Sequence, residues 1–150
     1  MDAENTHRVF DWLWTSGQLS VRDIAQLPAL EIAVVINLAL PTSSNALPGE
    51  AELVTGHGIS YVQIPVLWEQ PKLEQLRQFF KLVRSYEGQN VWVHCAKNMR
   101  VSAFVYLYRR ICRGEIDLAA RSLMDTVWVP NETWQVFISD ALRAHESGAF

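Results

Sequence analysis

The chain has 150 residues, of which 49% are apolar and 19% are charged, and its formal net charge at pH 7 is −3. This length and apolar content predict a single globular domain over residues 1–150, with a core that needs no disulfide or metal to hold it. The slight excess of acidic residues gives the protein no overall positive potential, so we expect no nucleic-acid partner and no attraction to an anionic membrane.

The first elements in chain order alternate between strand and helix. A buried strand begins near Trp12, and the serine at position 20 is a good N-cap for the helix that follows it. A proline at position 48 suits the first turn of the second helix, after a polar loop over 41–48. The predicted elements are a strand over 12–16, a helix over 20–27, a strand over 32–38, a helix from 48 to 56 or 58, and a strand over 60–66.

The second half of the chain continues this alternation with more helix. Leucine and phenylalanine recur at helical spacing between Pro71 and Gly88, which predicts the most regular helix of the chain. A short strand, Val91 to Val93, leads into a further helix that we expect to bury Cys112 on its apolar side. Two final helices are predicted, one over 116–127 and one that begins at 130–132.

Strands that are nearly continuous in apolar residues and alternate with helices predict an α/β fold. We expect a central, mostly parallel sheet of four to five strands with helices on both faces. In such sheets, ligands bind beyond the carboxyl ends of the strands.

Cofactors, disulfides and membrane segments are not expected. If the chain between Cys95 and Cys112 is helical, the two thiols lie about 25 Å apart, well beyond disulfide reach. The four histidines show no zinc-ligand spacing, so we expect neither a metal nor another cofactor. No leader sequence or apolar run of about 20 residues is present, so we expect a cytoplasmic protein without a membrane partner.

The segment from Val91 to Ser102 carries the most chemical information. An apolar strand delivers His94 and Cys95 into a short polar turn that opens a helix. Unpaired N–H groups and the positive dipole end of a helix favour a bound oxyanion and an ionised sulfur. Lys97 and Arg100 add positive charge, so Cys95 is predicted to be a thiolate nucleophile.

These residues resemble the active loop of cysteine-dependent dual-specificity and tyrosine phosphatases, which reads H-C-x-x-G-x-x-R-S/T. Counted from Cys95, Asn98 stands at the glycine position and Ser102 at the hydroxyl position, but Val101 stands where the arginine should be. Arg100 comes one residue early. It reaches a bound anion only if the loop is one residue tighter than in that pattern, or is not yet helical there.

The order of the elements before the loop resembles a bacterial branch of dual-specificity-like phosphatases. In that branch the loop itself reads C-x-x-N-x-R-x-S, so the early Arg100 is a variant of the family pattern. The resemblance covers roughly residues 12–112. The supporting segments are Thr15–Ser20, Val34–Leu38 and Tyr61–Val66.

The resemblance implies a phosphatase-like fold and hydrolysis of a phosphomonoester through a phosphocysteine intermediate. The substrate would be a phosphorylated protein or small molecule. By this resemblance Cys95 is the nucleophile, Arg100 holds the phosphate oxygens and Ser102 assists departure of the sulfur. The remaining residues of the phosphate-binding loop are His94, Ala96, Lys97, Asn98 and Met99.

The general acid is the part of the mechanism that the sequence supplies least clearly. The family usually places an aspartate in the loop before the helix that precedes the catalytic strand, and here that loop, residues 65–71, contains no aspartate. Glu69 is its one acid, and we expect Trp68 beside it to shield the carboxyl from water. Two other interpretations are a solvated turn at Glu69, and Gln70 positioning a water.

Two further functions remain open at this point. The valine at the arginine position and the absent aspartate suggest a degenerate phosphatase that binds phosphate without turnover. The spacing from Cys95 to Arg100 also resembles the loop of rhodanese-like sulfurtransferases, C-x-x-G-x-R. The sequence does not define the substrate, and it leaves open whether the chain forms a homodimer.

Overall fold

A five-stranded sheet forms the centre of the computed structural model, which describes residues 1–150. Its strand order is β1-β2-β5-β3-β4; β1 is antiparallel to β2 and the other neighbouring strands are parallel. The predicted mostly parallel sheet is therefore confirmed. The strands are β1 (His7–Phe10), β2 (Leu13–Ser16), β3 (Ile32–Asn37), β4 (Ser60–Gln63) and β5 (Asn90–His94).

Seven α-helices surround the sheet. Ser20 caps the first helix as predicted: its side chain accepts from the Asp23 N–H, and the Asp23 carboxylate accepts from the Ser20 N–H. The helices are α1 (Val21–Gln26), α2 (Glu50–Gly56), α3 (Leu73–Ser85), α4 (Met99–Leu107), α5 (Asp117–Ala120), α6 (Ser122–Val127) and α7 (Glu132–Glu146). A short 3₁₀ turn covers Pro28–Leu30, and a π turn over Tyr108–Cys112 extends α4.

The sheet separates two apolar cores, which confirms the expectation of helices on both faces. The larger core joins the strands to α3, α4 and α7 and includes Phe79, Phe104 and Trp134. The smaller core packs Ile24 of α1 and Val54 of α2 against the other face. Helix α4 belongs to the larger core, and all its residues from 100 to 107 are buried.

Strand β5 lies in the middle of the sheet, and this determines where the following loop lies. Its residues from 91 to 94 are buried, and it pairs in parallel with β2 on one side and β3 on the other. In these ladders His94 is opposite both Ser16 and Asn37, and Asn37 is opposite Gln63. The carboxyl ends of four parallel strands therefore meet at one edge of the sheet.

Four details differ from the sequence prediction. Strand β1 was not predicted, and β4 ends before Pro65, which has no N–H to donate. The helix predicted over 116–127 is divided at Arg121, where the backbone ψ of −2° departs from helical geometry. Cys112 is exposed and not buried, because the π turn rotates the end of the helix away from the core.

None of the helices is both long and apolar enough to cross a bilayer. No three His, Cys, Asp or Glu side chains lie together in an arrangement that could hold a metal ion. Both cysteines are free thiols.

Trp134 tests the larger core. Its ring is fully buried against Phe104, Phe137 and two other tryptophans. We expect Trp134→Ala to lower the free energy of unfolding by about 3–5 kcal/mol, because a large cavity remains. Urea denaturation measures the change. Val136→Ala on the same helix is the control, since Val136 is exposed and should change stability by less than about 0.5 kcal/mol; equal stability of the two variants would contradict the assignment.

Candidate active site

The loop of residues 95–98 joins the last residue of β5 to the first turn of α4. Asn98 is the N-cap of α4 and adopts a left-handed conformation with φ of 68°, and Met99 is the first helical residue. The helix therefore begins only four residues after Cys95. Arg100 is thus the second residue of this helix.

Hydrogen bonds to the surrounding protein fix the orientation of the loop peptides. The Cys95 carbonyl oxygen lies 3.1 Å from His94 Nδ1, and the Ala96 carbonyl accepts from the Gln18 N–H and from Asn45 Nδ2, both at 3.1 Å. The Lys97 carbonyl accepts from Asn5 Nδ2 at 3.0 Å. The Asn98 carbonyl accepts the first helical bond, from the Ser102 N–H at 2.8 Å. Four consecutive carbonyls are thus held by partners outside the loop or within α4.

The N–H groups of the same peptides are left without partners. In a trans peptide the N–H points opposite to the preceding carbonyl, so carbonyls that face the protein direct the following N–H groups to the other side. Such a row of free N–H groups at the start of a helix suits an oxyanion. The N–H groups that donate to no acceptor in the protein are those of Ala96, Lys97, Asn98, Met99, Arg100 and Val101.

Cys95 lies at the carboxyl end of the central strand, and its side chain is buried. Its N–H donates to the Ser16 carbonyl at 3.3 Å, so the backbone at Cys95 continues the pairing with the strand β2. The structure does not bring Ser102 into hydrogen-bond contact with the sulfur. The Ser102 hydroxyl donates to the Met99 carbonyl at 2.7 Å and accepts from Trp128 Nε1 at 3.0 Å.

Arg100 is buried and spans the sheet edge. Its Nη1 donates to the Val66 carbonyl at 2.9 Å, and Val66 is itself joined through Leu38 to the His94 carbonyl by backbone hydrogen bonds. The guanidinium therefore extends from α4 over the ends of the parallel strands.

No carboxylate neutralises this guanidinium, although Arg100 is only 6% exposed. A buried charge without a partner costs several kcal/mol. The bidentate geometry of arginine matches a phosphate or sulfate group. Together with the free N–H groups, it makes this edge an environment for a tetrahedral anion.

Asn98 joins the loop to the start of the chain. Its Nδ2 donates to the Asn5 carbonyl at 2.8 Å and to Thr15 Oγ1 at 3.0 Å, while its Oδ1 has no partner. Asn5 in turn donates to the Lys97 carbonyl, so two asparagines connect the segments reciprocally. Asparagine tolerates the left-handed conformation that glycine provides in the family pattern, and it adds a side chain that holds the loop.

Gly17 makes the closest backbone approach to the loop. A Cβ atom at this position would lie 2.7 Å from the Ala96 carbonyl oxygen, closer than any side chain can come. The Gly17 N–H donates to the Glu4 carbonyl at 2.7 Å, and Gly17 pairs with Lys97 as an isolated β-bridge. Glycine is therefore required here, between the N-terminal segment and the loop.

His94 is fully buried and binds a carboxylate that the sequence analysis missed. Its Nε2 lies 2.5 Å from Glu50 Oε2, and Glu50 Oε1 accepts from Gln18 Nε2. Burial alone raises the pKa of Glu50, but hydrogen bonding and the charge of His94, with hydrogen bonds from Gln18 and Tyr61, outweigh it and lower the pKa below its usual value.

The predicted general-acid loop follows β4. Glu69 is exposed and forms no hydrogen bond or ion pair with the protein. Trp68 does not shield it as predicted, because the indole packs on Trp128 and Trp134 with ring centroids 5.2 and 6.0 Å away. Tryptophan prefers such large aromatic contacts to a single carboxylate. The Trp68 carbonyl accepts from Trp134 Nε1, so this loop is tied to α7.

The residues that sequence reasoning missed come from four other segments. Gln18 follows the end of β2, so the rule that ligand-binding groups follow parallel strands could have identified it. Glu50 stands at the start of α2, where an acidic residue is ordinarily interpreted as complementing the helix dipole. Asn5 and Asn45 lie in irregular segments and carry no sequence signal.

A family comparison agrees with this geometry. The model of the family described as PTP-NADK, "DSP-PTPase phosphatase fused to NAD+ Kinase", matches residues 2–133. The chain belongs to this DSP-PTPase family. No protein with a curated description matches the sequence. The Cys95–Arg100 spacing, on which the sulfurtransferase alternative rested, thus occurs in a chain of a phosphatase family.

Solved structures of other proteins have the same fold. A DUF442 protein of Shewanella putrefaciens CN-32, provisionally assigned as a phosphatase, is 30% identical over 96% of this chain and 95% of that chain, with a TM-score of 0.86. PTPMT1 in complex with PI(5)P is 13% identical over 98% and 100% of the two chains, with a TM-score of 0.82. P. aeruginosa TpbA is 15% identical over 98% and 92%, with a TM-score of 0.76.

Substitutions at Asn98 test its two contributions to this DSP-PTPase loop. Asn98→Gly keeps the left-handed backbone and loses the side-chain hydrogen bonds, whereas Asn98→Ala loses both. We expect the alanine variant to be less stable than the glycine variant by about 1–2 kcal/mol, measured by urea denaturation. Lys97→Ala, at an exposed neighbouring position, is the control and should be nearly neutral. An alanine variant as stable as the glycine variant would show that backbone strain is unimportant here.

Proposed function

We propose that this DSP-PTPase family chain hydrolyses a phosphomonoester through a phosphocysteine intermediate. The observation that supports this most is the row of free N–H groups in the loop after Cys95, next to the buried guanidinium of Arg100 that no carboxylate neutralises. The two features together supply hydrogen-bond donors and positive charge where a phosphate would meet the thiolate.

In the first step the Cys95 thiolate attacks phosphorus in line with the leaving oxygen. The S–P bond forms as the P–O bond breaks, while Arg100 and the loop N–H groups hold the equatorial oxygens. Glu69 gives its proton to the departing alkoxide or phenoxide. The products of this step are an alcohol or phenol and the phosphocysteine.

In the second step water attacks the phosphocysteine. Glu69, now a carboxylate, takes a proton from that water as the S–P bond breaks and inorganic phosphate and the thiolate are released. Ser102 is proposed to assist departure of the sulfur. Because its hydroxyl is bonded to the Met99 carbonyl, direct assistance requires rotation of this hydroxyl during the reaction.

The substrate class is proposed only as a phosphorylated protein or small molecule. Two fold relatives bind different phosphate esters: TpbA is seen in complex with pTyr and PTPMT1 in complex with PI(5)P. A generic aryl phosphate is therefore the first substrate to test.

Removal of the thiol tests the nucleophile. We expect the wild-type chain to hydrolyse p-nitrophenyl phosphate and Cys95→Ser to fall to the background rate, because the serine hydroxyl is not ionised near neutral pH. Arg100→Lys should lower kcat/KM by about 100-fold, since lysine keeps the charge but not the fork of donors. Release of p-nitrophenolate is measured by absorbance.

Cys112→Ser is the matched control and should keep full activity, because Cys112 is exposed on the π turn. A wild-type chain as inactive as Cys95→Ser would contradict the proposal. If that inactive chain still bound inorganic phosphate in a calorimetric titration, the result would favour a phosphate-binding module.

Glu69→Gln tests the general acid. Loss of the proton donor should lower kcat for an alkyl phosphate by about 100-fold. The loss should be smaller for p-nitrophenyl phosphate, whose leaving group departs without a proton. Phosphate release from both substrates gives the comparison. Glu74→Gln, an exposed acid in the first turn of α3, is the control, and equal losses for both substrates would exclude Glu69 as the acid.

A further inference from the structure

His94 directs both ring nitrogens at hydrogen-bond acceptors. Nδ1 lies 3.1 Å from the Cys95 carbonyl oxygen and Nε2 lies 2.5 Å from Glu50 Oε2, and the ring is fully buried. A carbonyl oxygen can only accept, so Nδ1 must carry a proton for the first contact. An ionised carboxylate also only accepts, so Nε2 must carry one as well. With Glu50 ionised, His94 is therefore an imidazolium.

The surroundings of Glu50 support its ionised form. Gln18 donates to one oxygen through its amide N–H. The Tyr61 hydroxyl accepts from Asn37 Nδ2 at 2.9 Å, so its own proton is free to donate, and a hydrogen bond from Tyr61 is among the causes that lower the pKa of Glu50. Burial, followed by the charge of Glu50, raises the pKa of Tyr61, so the phenol stays protonated. Hydrogen-bond donors thus face this carboxylate from the loop after β2, from β4 and from β5.

The charged groups around the pair are few. His94 and Tyr61 are the titratable side chains that face Glu50 from other elements, and Glu52 is the next acid on its own helix. Glu50, Glu52 and Tyr61 line a cleft of about 190 Å³ together with Gln18. Glu52 is exposed and does not contact His94. It has the same charge as Glu50 and lies on the same helix, so it serves as a control for the contact and the burial of Glu50.

We propose that Glu50 is a positioning residue that keeps His94 an imidazolium and so favours the thiolate form of Cys95. The inference rests on the proposed role of Cys95 as nucleophile. A fixed cation one residue before the thiol stabilises the negative sulfur. The Nδ1 proton also holds the Cys95 carbonyl toward His94. The Ala96 N–H of the same peptide then points the opposite way, toward the proposed position of the anion. Glu50 touches neither the sulfur nor the substrate and acts through His94.

The Glu50→Gln substitution removes the carboxylate charge while keeping the hydrogen-bond geometry around His94. The amide N–H of glutamine can donate to Nε2 while Nδ1 still donates to the Cys95 carbonyl, so the contacts are kept and the ring becomes neutral. In a Cys112→Ser background, the pH midpoint of the ultraviolet thiolate absorbance of Cys95 should move upward by about one unit. Glu52→Gln should leave this midpoint unchanged.

Nitrogen NMR of the imidazole ring gives a second measurement. Its wild-type spectrum reports the protonation of His94 without relying on a folded variant. In the wild-type chain both nitrogens of His94 should show protonated-type shifts at neutral pH, and in Glu50→Gln one of them should show an unprotonated-type shift. A neutral His94 in the wild type would overturn the proposal. An unchanged thiolate midpoint in a folded Glu50→Gln variant would overturn it too.

Failure of the proposed function gives a different result. If the chain has no phosphatase activity but the thiolate midpoint moves in Glu50→Gln, the coupling of Glu50 to Cys95 holds and the hydrolase assignment fails. If activity is present, kcat/KM of Glu50→Gln should be about tenfold lower at pH 6 and should approach the wild-type value at high pH. Equal loss at every pH would indicate a purely structural role for Glu50 and contradict the proposal.

Discussion

The orientation of four peptide groups is the constraint on which this site depends. The carbonyls of residues 95–98 are each held by a donor, so the N–H groups that follow them are directed toward the anion side. The donors come from five parts of the chain: His94, Gln18, Asn45, Asn5 and Ser102. Contacts within the fold therefore orient the peptide groups of this loop.

Two buried charges meet this edge of the sheet, and the fold treats them differently. The Glu50 carboxylate is surrounded by hydrogen-bond donors from Gln18, Tyr61 and His94, which offset the cost of burying its negative charge. Arg100 has one carbonyl acceptor and no carboxylate. This asymmetry is the structural basis for proposing Arg100 as the anion-binding group and Glu50 as a supporting residue.

The sequence predicted the central fold and the loop, because apolar strands, caps and the His-Cys turn are local signals. It also stated two ways in which Arg100 could reach a bound anion, a tighter loop or a loop not yet helical there; in the structure α4 begins at Met99, so Arg100 is already helical. The pairing of His94 with Glu50 could not be predicted, since the residues are 44 positions apart and nothing in the sequence distinguishes an acid that will be buried from one that will be exposed. Exposure of Cys112 depends on a π turn, which side-chain periodicity does not reveal.

The reciprocal contact of Asn5 and Asn98 also bears on how the chain reaches its native state. These residues are separated by 93 positions, so closing this contact carries a large loss of chain entropy and requires the strands between them to be assembled first. The loop of residues 95–98 is therefore expected to acquire its final shape late in folding. A partly folded chain would have its sheet but not the ordered loop after Cys95, so the proposed site would form only when the whole domain is complete.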